Sequence, residues 1–254
     1  MAYREPWPSP VREWADPPWW LRGSCVTAWF ETPRPIATKL LSPDLLPDDH
    51  GPGVMTRLRF YEVHYGAFTE TGRDEGGVGN FREAVVAFAV HSGDIAGEVS
   101  SFMWTDDMTY LLWGREVFGW PLIQATIRED GDLLTVGHIE STLSASVEIP
   151  QGTLRLEATA QEDDGRPGVG FSTWLTPRRT VRWANGAGVE VQRDLLLVYP
   201  RVVSAGRHLR CEGEIRLELS ESHPLHVLKS PVAHSIDAAV DFELVVGSNV
   251  EVRQ

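Results

Sequence analysis

The stretch Met103–Thr126 reads MWTDDMTYLLWGREVFGWPLIQAT and includes one of the few helices that the sequence predicts. Thr105 and Asp106 can cap the free amides of a first turn, and apolar residues follow them at helical spacing. The helix should end before Pro121, because proline disfavours helical geometry in the residue before it. A second short helix is expected over Ile36–Leu41. The rest of the chain offers little else that favours helix.

Outside this stretch, most of the sequence predicts β-strands separated by turns. The predicted strands are rich in β-branched and aromatic residues, and clusters of Gly, Pro, Asp or Asn bound most of them. Parallel α/β folds need a helix at each crossover, which this chain does not supply, so a mainly β fold is expected, an antiparallel β-barrel or sandwich with few short helices. The predicted strands are Ser24–Glu31, Thr56–Tyr65, Phe81–His91, Gly97–Trp104, Leu133–Glu140, Thr142–Ile149, Thr153–Ala160, Val189–Val203, Cys211–Leu219 and Val232–Val246.

The chain of 254 residues is expected to form a single domain over residues 1–254, because it has no internal repeat and no linker long enough to separate domains. Residues 1–20 are expected to be loosely attached, since five prolines fall within Met1–Pro18. Thr71–Asn80 contains four glycines and little to bury, which predicts a mobile loop.

Composition excludes several classes of partner. The net charge of −13 repels phosphate backbones and anionic lipid, so neither nucleic acid nor a membrane is expected as a partner. No apolar run reaches the roughly 18–20 residues that span a bilayer, and the N-terminus lacks the apolar stretch of a signal peptide. A cytoplasmic location is therefore expected. Cys25 and Cys211 are too few and too far apart for a disulfide scaffold.

Common catalytic motifs do not explain the chain. Gly76–Gly79 does not lead into a helix with the Lys-Ser or Lys-Thr of a phosphate-binding loop. His223 and His226 have the spacing of a metal pair but no third ligand at a supporting distance. No Gly-x-Ser-x-Gly motif is present. We therefore expect no metal and no cofactor.

The central stretch resembles the signature region of the acetoacetate decarboxylase superfamily. Gly114-Arg115-Glu116 is followed at the family spacing by Gly119-Trp120-Pro121, and Leu122-Ile123 stand where the family has Lys-Lys. Phe81-Arg82-Glu83, whose glutamate precedes Leu122 by 39 residues, resembles an aromatic-x-Glu motif of the family. Arg22 resembles the family's N-terminal arginine. The resemblance extends over nearly the whole chain.

This resemblance implies an antiparallel β-barrel-like fold that encloses an apolar cavity and assembles as a homo-oligomer. It also implies a mechanism in which a lysine amine forms a Schiff base with a β-keto acid. Leu122 has no amine, and Lys39 and Lys229, the only lysines of the chain, lie outside the matching segment. Imine catalysis of the family's usual kind is therefore not expected here.

The remaining family positions predict a lysine-free site. Glu83 is expected to be the general acid and base, because a carboxyl group walled in by apolar surface has a raised pKa. Arg22 is expected to hold an anion, and Tyr61, in place of a second family carboxylate, to donate to an oxyanion. Glu62 cannot replace Tyr61, since neighbouring strand residues face opposite sides. The expected substrate-binding walls are Trp104, Trp120, Leu122 and Ile123.

The leading hypothesis is an enzyme of specialised metabolism, a lyase or isomerase, that binds an apolar keto or enol compound such as a polyketide-like intermediate. The cavity would promote proton transfer, dehydration, cyclisation or rearrangement. One alternative is a β-keto acid decarboxylase that works without lysine. The other is a non-catalytic protein that binds a small apolar molecule.

Overall fold

The computed structural model describes residues 19–48, 53–69, 72–73, 79–167, 172–184, 188–247 and 250–253. These residues form two short α-helices, α1 (Arg34–Leu40) and α2 (Met108–Trp113), a π-helical turn at Gly114–Phe118 and a 3₁₀-helix at Pro224–Leu228. The strands are β1 (Trp19–Pro33), β2 (Leu46–Pro47), β3 (Gly53–Thr69), β4 (Gly72–Arg73), β5 (Gly79–Ser92), β6 (Ile95–Thr105), β7 (Leu122–Gln124), β8 (Thr126–Gly131), β9 (Thr142–Ile149), β10 (Gly152–Pro167), β11 (Trp174–Ala184), β12 (Gly188–Val198), β13 (Arg201–Ser204), β14 (Arg207–Leu219), β15 (Ser235–Val246) and β16 (Val250–Arg253).

The strands form one large sheet whose order is β16-β12-β11-β6-β5-β3-β1-β15-β14-β10-β9-β8. Most pairs are antiparallel, while β6 pairs in parallel with both β7 and β11. The path of described strands is open at its two ends. The expected mainly β fold with few short helices is therefore confirmed, as a large sheet that is not closed into a barrel.

Both predicted helices are present, with small shifts in their ends. The first spans Arg34–Leu40. The second starts at Met108, where the side chain of Asp107, rather than Thr105 or Asp106, caps the helix by accepting a hydrogen bond from the backbone amide of Tyr110 at 2.6 Å. The helical segment ends at Phe118, as the following Gly-Trp-Pro predicts.

Two strand predictions need correction. Leu133–Glu140 forms turns instead of a strand, because the backbone carbonyl of Asp132 accepts hydrogen bonds from the backbone amides of Thr135, Val136 and Gly137. Val189–Val203 is interrupted by residues 199–200, where Pro200 has no backbone N–H, and divides into β12 and β13. Most of the expected loose N-terminal segment, residues 1–18, and most of the expected loop over residues 71–80 lie outside the described residues.

The central strands β1, β3 and β5 bury both of their faces, because alternate side chains enter two separate apolar clusters. On β3, Leu58 and Phe60 pack toward β8–β10 and β14, whereas Tyr61 and Val63 pack toward α2 and the π-helical turn. On β5, Val86 faces the first cluster in the same way. A cavity lies within the second cluster.

Two bulges turn additional side chains toward that cavity. In β15 the pairing with β1 skips at Asp241, which has a φ of 60°, and the skip turns Phe242 and Leu244 to the cavity side. In β6 a second irregularity opposite Val86/Ala87 places Ser100 and Met103 on one face. Without the bulge in β6, Ser100 and Met103 would lie on opposite faces of the strand. Without the bulge in β15, Phe242 and Leu244 would face away from the cavity.

Candidate active site

The cavity of the second cluster has a volume of about 40 Å³ and a largely apolar lining. About 10–15 Å³ suffices for one water molecule, and a protein cavity of about 150 Å³ admits benzene, so the space suits a compound of a few heavy atoms. Its polar lining comes from β3, β5, β6 and α2. The lining residues are Leu21, Arg57, Tyr61, Val63, Phe81, Glu83, Val85, Ser100, Met103, Tyr110, Trp120, Trp174, Phe242 and Leu244.

Glu83 is the carboxyl group of this cavity. It lies on β5 directly opposite Tyr61 of β3 and is only 5% exposed. Burial raises the pKa of Glu83 to about 8, although a hydrogen bond from Tyr110 and the charge of Arg59 both act to lower it. The carboxyl group is therefore mostly protonated at neutral pH, and its carboxylate form is reached within about one pH unit.

Tyr110 connects helix α2 to Glu83. Its hydroxyl donates a hydrogen bond to Oε1 of Glu83 at 3.2 Å, and its ring stacks on Phe81 with 3.6 Å between centroids. Burial, with the nearby charge of Glu83, keeps the pKa of Tyr110 well above its usual value. Because Asp107 caps α2 at the amide of Tyr110, the start of the helix fixes the position of this phenol.

Tyr61 lies beside Glu83 in the same cavity. Its hydroxyl oxygen accepts a hydrogen bond from Arg59 at 2.8 Å, which leaves the hydroxyl hydrogen able to donate. Burial raises the pKa of Tyr61, while the guanidinium groups of Arg59 and Arg57 act to lower it. The phenol therefore stays protonated at neutral pH and can serve as a hydrogen-bond donor to an oxyanion.

Arg57 supplies the guanidinium group that lines the cavity. It is 4% exposed, and its Nη2 forms a buried ion pair with Oε1 of Glu98 on β6. Its guanidinium also lies 5.7 Å from the ring centre of Trp29. The sequence-based prediction of the site did not include Arg57 and Arg59. Strand alternation could have identified them, because Arg59 and Arg57 lie two and four residues before Tyr61 and therefore share its face.

Arg22 is placed differently from the sequence-based expectation. It lies on the opposite face of β1 from the cavity-lining Leu21, its side chain is 53% exposed, and it lies 3.8 Å from Asp241. It borders a groove on that other face together with Glu62. The expectation that Arg22 shares the cavity with Glu83 is therefore corrected, because adjacent strand residues face opposite sides. Glu62 faces away from the cavity, for the reason given above.

Of the expected walls, only Trp120 lines the cavity, where its ring stacks on Phe118 at 4.4 Å. Leu122 is buried in the same cluster but packs against Gly114, where an added Cβ would collide with it. Trp104 is 1% exposed and belongs to the other cluster, and Ile123 is 56% exposed. The alternation of β6 and β7 turns Trp104 and Ile123 away from the cavity.

The chain's lysines both lie on the surface. Lys39 is exposed on α1, and Lys229 is exposed after the 3₁₀-helix. Nδ1 of His223 accepts a hydrogen bond from the backbone amide of Leu225 and so caps that 3₁₀-helix. No cluster of His, Cys, Asp or Glu within the described ranges is arranged to hold a metal ion. No described helix has both the length and the apolar character needed to cross a membrane.

Comparison with known proteins identifies proteins that share this fold. The family model "Acetoacetate decarboxylase (ADC)" matches residues 3–247. No curated protein sequence matches the chain significantly. Three solved structures are similar at 14% identity each: "Enduracididine biosynthesis enzyme MppR complexed with the condensation product of pyruvate and imidazole 4-carboxaldehyde" (TM-score 0.71; 94% of this chain, 90% of that chain), an acetoacetate decarboxylase from Legionella pneumophila (0.69; 99% and 93%) and an acetoacetate decarboxylase-like enzyme from Sphingomonas wittichii RW1 (0.68; 92% and 92%). At this identity, the likeness shows a shared fold.

Proposed function

Because the chain belongs to the acetoacetate decarboxylase family, we propose that it is an enzyme that binds a small keto or enol compound without a covalent bond and moves a proton on it through Glu83. One observation carries the proposal. A carboxyl group with a pKa of about 8 lines the cavity, while both lysines lie on the surface. The site thus has an acid and base suited to neutral pH but no amine for an imine.

The proposed step is enolisation or its reverse. The carboxylate of Glu83 takes a proton from the carbon next to the carbonyl group, and the electron pair of that C–H bond moves onto the carbonyl oxygen. Tyr61 donates a hydrogen bond to the resulting enolate oxygen, and Glu83 returns the proton to carbon or oxygen. Positioned acid–base catalysis contributes about 10²–10⁴-fold, which is sufficient without a covalent intermediate.

The size of the cavity narrows the expected substrate. The volume of about 40 Å³ favours a small compound over a polyketide-like chain. The structural relative MppR was complexed with pyruvate. We extend that size class of substrate to this chain. The proposal also includes the cytoplasmic location and the single domain that the sequence predicts, and the homo-oligomeric assembly that the family resemblance implies.

Deuterium incorporation into the methyl group of pyruvate, followed by proton NMR in D₂O, tests the proposal. We expect the wild-type protein to accelerate exchange over buffer and Glu83→Gln to reduce this acceleration by about 100-fold or more. Glu129→Gln is the matched control, because Glu129 is another carboxyl group whose pKa burial raises, to about 7, outside the cavity. Equal exchange by wild type and Glu83→Gln would refute the mechanism.

The same samples distinguish the two other candidate functions. Release of carbon dioxide from acetoacetate that depends on Glu83 indicates a lysine-free decarboxylase, in which the protonated carboxyl group quenches the enolate. Binding of pyruvate without exchange or decarboxylation indicates a non-catalytic binding protein. Binding without turnover contradicts the proposed proton transfer, whereas decarboxylation would assign Glu83 only the reverse step, protonation of an enolate.

A further inference from the structure

We infer that Arg57 is the anion-recognition residue of the cavity, that Glu98 is its positioning residue, and that the substrates are small keto acids whose carboxylate binds Arg57. This inference rests on the proposed function, because it specifies the ligand on which Glu83 acts. It places the anion-binding arginine on β3, whereas Arg22 of β1 is expected in that role from the sequence.

The first argument is an unsatisfied donor. Arg57 lines the cavity, and its buried Nε has no hydrogen-bond partner, although the same guanidinium group pairs through Nη2 with Glu98. A buried polar group without a partner costs stability, so such groups in native structures call for an explanation. A carboxylate in the cavity would supply acceptors that the protein itself does not provide.

The second argument is charge. Burial and repulsion from the Arg59 guanidinium lower the pKa of Arg57 to about 9, while interaction with the Tyr61 hydroxyl opposes that decrease. Arg57 thus stays cationic at neutral pH. Burial raises the pKa of both Tyr61 and Cys25, so these two neighbours stay neutral, and Glu98 is the carboxylate that pairs with Arg57. An anion at Arg57 would also be attracted by Arg59 in a medium of low dielectric constant.

The third argument is the way in which Arg57 is held. Glu98 on β6 bonds its guanidinium, and the Trp29 ring packs against it, so the side chain has a fixed place before any ligand arrives. Ser100, two residues after Glu98, lines the cavity from the same strand. Fixed donors bind a carboxylate at less entropic cost than mobile ones. Glu98 therefore acts through Arg57 and need not touch the substrate.

Two probes of nearly equal shape test the inference. Pyruvate carries the carboxylate and pyruvamide replaces it by a neutral amide, and both have the same exchangeable methyl group. We expect wild type to bind pyruvate at least about tenfold more tightly by calorimetry, since hydrogen bonds to charged groups are the stronger ones. Equal binding of the two probes by wild type overturns the inference without any variant.

Variants then assign the preference to Arg57. Arg57→Met alone would leave the Glu98 carboxylate buried without a partner, so the informative protein is the double variant Arg57→Met/Glu98→Gln. We expect it to lose the preference, so that it binds pyruvate and pyruvamide equally well. Arg128→Met/Glu148→Gln, which removes an exposed ion pair, is the matched control. A folded cavity double variant that still prefers pyruvate overturns the inference.

Glu98→Gln tests positioning separately from folding. With the charge of Arg57 retained, we expect a several-fold higher KM for pyruvate exchange, little change in kcat and little change for pyruvamide. A merely structural role for Glu98 would change both probes alike. The proposed function fails by a different result, unchanged exchange in Glu83→Gln, so that the two failures can be told apart.

Discussion

The hydroxyl of Tyr110 donates a hydrogen bond to Oε1 of Glu83 at 3.2 Å and thereby joins helix α2 to strand β5 across the cavity. The bond opposes burial, because it favours the carboxylate form of Glu83. Glu83 therefore changes its protonation state near neutral pH instead of remaining permanently protonated.

Tyr110→Phe should move this balance. Without the donated hydrogen bond, the carboxylate of Glu83 loses a stabilising partner and the pKa of Glu83 rises further above about 8. In the pH–rate profile of pyruvate exchange, the apparent pKa that reports Glu83 should rise by roughly 0.5–1 pH unit. This shift corresponds to about the net free energy of one hydrogen bond. Tyr65→Phe, in the same aromatic cluster, is the control and should leave the limb in place. A downward or absent shift in Tyr110→Phe contradicts the assignment.

Glu83 should also make stability depend on pH. Its pKa is about 8 in the folded protein against an ordinary value of 4.5. Its contribution is therefore fully present below about 4.5 and is lost as the pH rises toward 8. Each pH unit within this window weakens the folded state by up to about 1.4 kcal/mol.

Denaturant unfolding of wild type and Glu83→Gln at pH 5 and pH 8 measures this contribution. We expect the free energy of unfolding to fall less between the two pH values in Glu83→Gln, because the amide does not ionise. Burial also raises the pKa of Glu129, to about 7, so Glu129→Gln should remove a separate and smaller part of the same slope. An identical slope in wild type and Glu83→Gln would show that the carboxyl group is already ionised at pH 5.

The family resemblance places Glu83 and Tyr61 on two strands, and the register of β3 and β5 sets these two residues opposite one another. Arg22 is different. Trp19 and Leu21 alternate with Trp20 and Arg22, so aromatic and aliphatic side chains occur on both faces of β1 and do not indicate which face is enclosed. Only the packing of α2 and the π-helical turn over one face decides the question.

The walls of the cavity were harder to predict for a related reason. Bulges at Asp241 and within β6 change which residues face inward, and a bulge is set by pairing with a distant strand instead of by local sequence. Similarly, Trp104 and Trp120 both lie in the central stretch, yet they belong to separate clusters. The family resemblance could place the motif but not the direction of each side chain.

Gly23 allows β1 and β3 to approach each other next to the cavity-lining Leu21. A Cβ at this position would collide with the backbone carbonyl of Glu62, which cannot move without separating the strands. Gly23→Ala should therefore cost about 3 kcal/mol or more in the free energy of unfolding. Gly93→Ala is the comparison: its φ of 57° is strained for alanine, but open space surrounds it, so about 1–2 kcal/mol is expected. Equal costs would show that the strands separate easily at Gly23.

The absence of a cavity amine predicts a negative result in an imine-trapping experiment. An imine between pyruvate and a lysine is reduced by borohydride to a stable adduct, which intact-mass spectrometry detects. Lys39 and Lys229, the only lysines, are both exposed. We therefore expect no stoichiometric mass gain after borohydride treatment with pyruvate. The variant Lys39→Arg/Lys229→Arg should retain wild-type exchange of pyruvate, because both charges are kept and neither lysine touches the cavity. A stoichiometric adduct in wild type that disappears together with exchange in this variant would show that a lysine reaches the substrate, and the non-covalent mechanism would then be wrong.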